Sequence, residues 1–341
     1  MHNPHERPTV LEICAGGGGQ ALGLERAGFR HVAALEIDPD ACTTLKRNRP
    51  EWEVLETDIH TFDAARFEGC DLVAGGVPCP PFSIAGKQLG DLDERDLFPA
   101  ALRIVSQVHP RAVMLENVRG LSTDRFAGYR SNLFADLREL GYRPQGLLLN
   151  ASDFGVPQLR PRYVIVAIRE EIAGHFEWPE PLAAPNVTVA EALFDLMSAR
   201  GWPGVCAWQR KADRIAPTLV GGSRKHGGPD LGPTRARAQW AEIGVDGLGL
   251  TAEAPGEGDP IDKHPKLTLR MAARLQGFPD DWLFHGGKTT VYRQIGNAFP
   301  PPVAEAVGSA IARAFASDPP VSRRQLVLLE PPQNASRLRR A

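Results

Sequence analysis

From Thr9 to Ile168 the chain alternates short apolar runs with stretches of helical period. Thr9-Val-Leu-Glu-Ile-Cys14 reads as a buried strand, followed by a glycine turn and a helix from Gln20 to Ala27. Val32 to Ile37 reads as a second strand, and Asp38-Pro39 then supplies a favoured cap and first-turn residue for the next helix. Further strands are predicted at Leu72–Ala74, Ala112–Leu115, Gln145–Asn150 and Tyr163–Ile168, with helices around Leu97–Val108 and Ser131–Leu140. Strands alternating with helices predict a doubly wound α/β sheet.

After Arg169 the rhythm breaks. Pro179, Pro181 and Pro185 resemble a linker, and then glycine and proline pairs recur: Gly221-Gly222, Gly227-Gly228-Pro229, Gly232-Pro233 and Pro255-Gly256. From Phe299 to Phe315 an apolar run, interrupted near its start by Pro300-Pro301-Pro302, predicts a helix returning to the main sheet. The pattern therefore predicts two unequal domains. The larger is formed by residues 1–170 and 267–320, the smaller by 171–266, and a disordered basic tail covers 321–341.

Composition adds little to this picture until charge is located. Over 341 residues the hydrophobic share is 43% and the charged share 23%, ordinary for a globular protein. No stretch approaches the roughly 20 apolar residues of a membrane span. The first residues, Met1 to Arg7, carry no apolar leader, so a cytoplasmic protein is expected. Cys14, Cys42, Cys70, Cys79 and Cys206 contain no Cys-x-x-Cys pair, which points to free thiols and no metal site. Formal charge is −2, but residues 200–240 hold eight basic and two acidic side chains, a segment of +6 against −8 for the remainder. With Trp202, Trp208 and Trp240 interleaved, this segment suits a polyanion-binding surface. From charge alone a solvated basic face explains it equally well.

The candidate chemistry collects at predicted strand ends, where open α/β sheets bind ligands. Ala15-Gly16-Gly17-Gly18-Gly19 follows the first strand and lets backbone approach a ligand closely. Glu36 ends the second strand, placed for ribose hydroxyls, and Asp58-Ile59 follows the third, placed for an adenine edge. Together they favour an adenosine ligand over the alternative that the acids merely cap the following segments. Cys79 lies in the loop Gly75-Gly-Val-Pro-Cys-Pro-Pro-Phe-Ser83, stiffened by proline on both sides. Such a thiol is better placed to react than to fill a core, given local help in lowering its pKa. Glu116-Asn117-Val118 ends a further strand, and Gln158-Leu-Arg160-Pro-Arg162 precedes the last, bringing a carboxylate and two guanidinium groups to the same edge. An ordinary Glu116–Arg160 ion pair is the plainer alternative.

These blocks, in this order and over nearly the whole chain, resemble the cytosine-5 DNA methyltransferases of bacterial and phage restriction-modification systems. Further matching blocks are Asp93-Glu-Arg-Asp-Leu-Phe98, Arg270-Met-Ala-Ala-Arg-Leu-Gln-Gly-Phe-Pro279 and Tyr292-Arg-Gln-Ile-Gly-Asn-Ala298. The resemblance implies a Rossmann-like S-adenosylmethionine methyltransferase sheet with a smaller, loop-rich target-recognition domain. It implies Cys79 as nucleophile on a flipped cytosine, Glu116 as the acid at ring nitrogen 3, and Asn117 as the residue placing the loop. Arg160 is implied at the exocyclic oxygen, with Arg162 in support. For S-adenosylmethionine it implies Cys14, Ala15, Gly16, Gly18 and Gly19 at the methionine part and Glu36 at the ribose. Asp58 is implied at the adenine amino group, with Ile37, Ile59 and Leu97 packing on the base and Pro78, Asn297 and Ala298 completing the pocket. Glu12 and Cys14 stand where aspartate and phenylalanine are common, Pro80 where glutamine is frequent and Met271 where glutamate is frequent. An aromatic wall beside the cofactor is therefore expected to be missing.

In this family the interval between the Arg160 and Arg270 blocks reads the target. Double-stranded DNA is thus the implied partner, with Arg210, Lys211, Arg214, Arg224, Lys225 and Arg237 as candidate contacts. A cognate endonuclease acting on the same site and a monomeric state are further implications. A tRNA cytosine methyltransferase with the same blocks, a non-catalytic DNA-binding relative and a nicotinamide oxidoreductase remain alternatives. The long basic segment disfavours the first, the intact Cys79, Glu116 and Arg160 the second, and an otherwise idle Pro-Cys loop the third.

Overall fold

The computed structural model describes residues 7–78, 96–184, 186–222, 228 and 230–317. Cys79, Pro80, Pro185, Arg224, Lys225 and the predicted basic tail lie outside the described residues.

The described strands are β1 (Thr9–Ile13), β2 (Arg30–Glu36), β3 (Val54–Glu56), β4 (Leu72–Gly76), β5 (Ala112–Val118), β6 (Tyr142–Asn150) and β7 (Pro161–Arg169). They form one sheet in the order β3-β2-β1-β4-β5-β7-β6. From β3 through β5 neighbouring strands are parallel, while β7 runs antiparallel to both β5 and β6. The central strands are apolar because both faces are covered. Leu11, Ile13, Val73 and Leu115 pack towards α3 (Phe98–Val108) and α4 (Ala127–Glu139). Val10, Leu72, Met114 and Val166 pack towards α1 (Gly19–Arg26) and α10 (Pro301–Ala316). Helix α10 is the predicted returning helix, and it begins at the second of its three prolines, where a missing N–H is harmless. Helix α2 (Pro39–Asn48) also starts as expected: Asp38 Oδ1 accepts from Asp40 N at 3.0 Å and Ala41 N at 3.4 Å.

Residues 171–266 are less irregular than the glycine and proline pairs suggest. They contain α5 (Val189–Ser198), α6 (Val205–Ala212) and α7 (Thr234–Glu242). Trp202, Trp208 and Trp240 are at most 3% exposed, so the expectation that they interleave a binding surface is corrected. A tryptophan carries some 150–250 Å² of surface that gains most by burial. Here the three join a cluster with Leu45, Trp52, Met271 and Tyr292. The remaining helices are α8 (Leu269–Leu275) and α9 (Lys288–Asn297). Met271 completes a capping box on Thr268, whose N–H points at the sulfur at 3.4 Å, a weak acceptor in the place of a carboxylate. No helix among the described residues is long and apolar enough to cross a membrane.

Candidate active site

Chain order reverses between β1 and β4, and the crevice beyond their carboxyl ends holds a cavity of about 470 Å³. The glycine turn closes one side. Gly18 has φ +87°, and a Cβ there would come within 2.6 Å of the Trp282 ring, so only glycine fits between the turn and that indole. Trp282 Nε1 in turn donates to Gly17 O at 3.0 Å, holding the turn from outside. Cys14 takes up φ +52°, a left-handed backbone unusual for a side chain of its kind.

Glu36 and Asp58 both line the cavity, as predicted. Glu36 also orders its walls: Oε2 accepts from Gly16 N at 2.7 Å, and Oε1 from Ile37 N and Asp38 N at 2.9 and 2.8 Å. A carboxylate offers about four acceptor sites, so one remains for a ligand. Asp58 Oδ1 accepts from His60 N at 2.9 Å, leaving its other oxygen to the pocket. Ile37 is 59% exposed because it faces this crevice. Cys14, Ala15, Gly16, Gly19, Ile59, Pro78, Leu97, Asn297 and Ala298 line it as well. Gly18 does not line it and acts through the turn instead. The field inside is negative. Burial first, then Glu36, Asp58 and Glu12, push the Cys14 thiol well above its ordinary pKa.

The catalytic edge lies beside this cavity. Glu116 lies one residue before the end of the buried run of β5, next to Gly76 on β4. Arg162 on β7 opposes Val118, which makes it the diagonal neighbour of Glu116. Its Nε lies 2.7 Å from Glu116 Oε1. Burial raises the Glu116 pKa, and the Arg162 and Arg160 guanidinium groups oppose that rise. Asn117 Nδ2 donates to Val77 O at 2.9 Å and its Oδ1 accepts from Val118 N at 2.8 Å. It therefore fastens the chain two residues before Cys79, which itself lies outside the described residues.

The two arginines have different surroundings. Arg160 is 0% exposed and turned away from Glu116 towards backbone. It donates to Leu219 O at 2.8 Å, Gly296 O at 2.7 Å and Ala298 O at 3.0 Å. Arg160 is expected at the target base with Arg162 behind it; here the Arg160 guanidinium braces three backbone carbonyls, and Arg162 is the arginine paired with Glu116. Gln158 and Gln276 extend that brace: Gln158 Nε2 donates to Gln276 Oε1 at 2.7 Å, and Gln276 Nε2 to Ala298 O at 2.6 Å.

Among the candidate DNA contacts, Arg210, Lys211 and Arg214 are exposed. Arg237 is half-buried and lies 3.6 Å from Asp230. Arg224 and Lys225 lie outside the described residues. The cavity also takes in residues the sequence pattern did not single out as ligands, Glu12, Gln20, Arg293 and Gln294. Gln20 and Gln294 look like any polar position of a helix, and only the folded arrangement turns them inward.

Residues 9–223 and 233–313 match the family model described as C-5 cytosine-specific DNA methylase. Type II methyltransferase M.NaeI of Lentzea aerocolonigenes is 56% identical over 310 residues, covering 90% of this chain and 75% of that protein. Type II methyltransferase M.NgoMIV of Neisseria gonorrhoeae is 53% identical over 310 residues, covering 90% of this chain and 98% of that protein. The crystal structure of S. pombe Dnmt2 methyltransferase shares the fold, with a TM-score of 0.62 over 91% of this chain and 99% of that one at 20% identity.

Proposed function

Since this chain belongs to the C-5 cytosine-specific DNA methylase family, we propose that it methylates cytosine within a specific double-stranded sequence through a covalent bond from Cys79. Carbon 5 of cytosine is a poor nucleophile. A Cys79 thiolate adding to carbon 6 makes the S–C6 bond and pushes the ring's electron pair towards carbon 5. Protonated Glu116 hydrogen-bonds ring nitrogen 3 and draws off charge, while Arg162 fixes that carboxyl and faces the exocyclic oxygen. After carbon 5 is methylated, loss of its proton and breakage of the S–C6 bond restore the aromatic ring and the free cysteine. The base must leave the duplex to reach this edge, at a cost of a few kcal/mol in stacking.

The cavity fits S-adenosylmethionine: the carboxylates of Glu12, Glu36 and Asp58 line it, which suits a cationic ligand, and Glu36 and Asp58 keep acceptor sites for a nucleoside. When bound there, that cofactor supplies the methyl group as an electrophile. Residues 171–266 act as the reading segment, Arg210, Lys211 and Arg214 contacting phosphates. The protein works as a cytoplasmic monomer beside an endonuclease for the same site.

The pairing of Glu116 with Arg162, next to the loop leaving β4, carries this reading. Duplex DNA containing 5-fluorocytosine tests it, since fluorine at carbon 5 cannot leave as a proton. A cysteine-linked adduct is expected at Cys79 by mass spectrometry, absent in Cys79→Ser. Failure of wild type to form the adduct in any sequence context, or an adduct with tRNA alone, overturns it.

A further inference from the structure

Two buried polar side chains at the base of the cavity take no part in the chemistry above. Gln20, in the first turn of α1, is 3% exposed, and among the described residues neither its amide oxygen nor its nitrogen has a hydrogen-bond partner. Glu12, on β1, is fully buried. One of its oxygens lies 2.9 Å from His31 Nε2, and the carboxylate also faces the Ala21 backbone N–H in the first turn of α1. Both residues line the cavity. A Cβ placed on Gly76 would be 3.2 Å from Glu116 Oε2 and 4.0 Å from Gln20 Oε1. The amide thus lies on the side of the cavity nearest the catalytic edge, away from the Glu36 and Asp58 end.

A buried amide with no partner is worse for folding than an apolar group of the same shape. Gln20 lines the cavity, so a small turn of its side chain lets a bound group there supply the missing partner. A glutamine amide offers two donors and an acceptor together, and the carboxylate of Glu12 adds a second acceptor. A carboxylate and an ammonium carried on one carbon match that set. His31 holds Glu12 from the far side, stacked on Trp52 with ring centroids 4.2 Å apart, so the carboxylate is fixed in place.

We propose that Gln20, backed by Glu12, recognises the α-amino-acid end of the methyl donor and sets selectivity for it over nucleosides that lack that end. This rests on the reading that the cavity holds S-adenosylmethionine. Calorimetric titration of the full chain with S-adenosylhomocysteine and with 5′-methylthioadenosine, the same thioether without the amino acid, tests both. In Gln20→Leu, S-adenosylhomocysteine should bind about ten- to a hundredfold more weakly, while 5′-methylthioadenosine stays within about twofold of wild type. The free Gln20→Leu protein should melt at the same or a higher temperature. Unchanged affinity for S-adenosylhomocysteine, or an equal loss for both ligands, overturns the proposal. Should Gln20→Leu not fold, Gln20→Glu takes its place in the same titrations, since a second carboxylate beside Glu12 should weaken S-adenosylhomocysteine alone. Wild type that binds neither ligand overturns the pocket reading itself.

Discussion

A carboxyl that works as an acid near neutral pH must keep its proton where ordinary carboxyls have lost theirs. Burial shifts the Glu116 pKa upward, against the pull of Arg162 and Arg160. In the proposed mechanism the protonated form is the active one, so the single-turnover rate should fall as pH rises through its pKa. Arg162→Met removes an opposing cation, and the fall should move to higher pH while the rate itself drops. Glu116→Gln should lack that fall altogether. A stopped-flow pH profile checks these outcomes, and a fall that stays in place in both variants assigns the titration elsewhere. The sequence brings two arginines to this edge, and the resemblance implies Arg160 at the exocyclic oxygen with Arg162 in support. Which of them meets Glu116 depends on Val118 facing Arg162 across β5 and β7, a pairing between distant segments that no local pattern encodes.

At the scale of elements, the α/β alternation is legible because the central strands are mostly apolar and the helices between them show a buried face. The ends are less so: β6, the edge strand, reaches back to Tyr142 through residues that alternate in exposure, and β7 begins at Pro161 and ends at Arg169 with half-buried residues. Residues 189–242 hide their helices for a physical reason, since short helices between glycine and proline turns give too few turns to show their period. Helix α6 shows the outcome, with Trp208 and Ala212 buried and Arg210 and Lys211 exposed. Trp240→Ala should cost about 3–5 kcal/mol in urea unfolding. Arg210→Ala with Lys211→Ala should leave stability within about 1 kcal/mol and lower the salt slope of DNA binding by about 1–2. Weakened DNA binding without lost stability in Trp240→Ala would return that indole to the surface.

Across the molecule, Arg160 ties two distant segments to the start of β7: the stretch around Leu219 and the chain from Gly296, at the end of α9, to Ala298. Asn297 Nδ2 adds a bond to Gly222 O at 3.2 Å. Arg160→Met leaves those carbonyls without their donor and should cost at least about 3 kcal/mol, lowering the melting temperature along with cofactor binding. Arg162→Met should slow the chemistry with the melting temperature nearly unchanged. Equal melting temperatures for the two variants would remove the distinction drawn between the two arginines.

The cavity is walled by Gly16, Gly17, Gly19 and Gln20 on one side and by Arg293, Gln294 and Asn297 to Phe299 on the other, residues more than 270 positions apart. At synthesis rates of about 5–20 residues per second, the first wall leaves the ribosome some 15 seconds or more before the second. A nascent chain therefore carries the glycine turn and Glu36 well before it has a closed pocket. Truncated products have no active fragment to release, and modification of a host's DNA begins only with chains translated past Phe299.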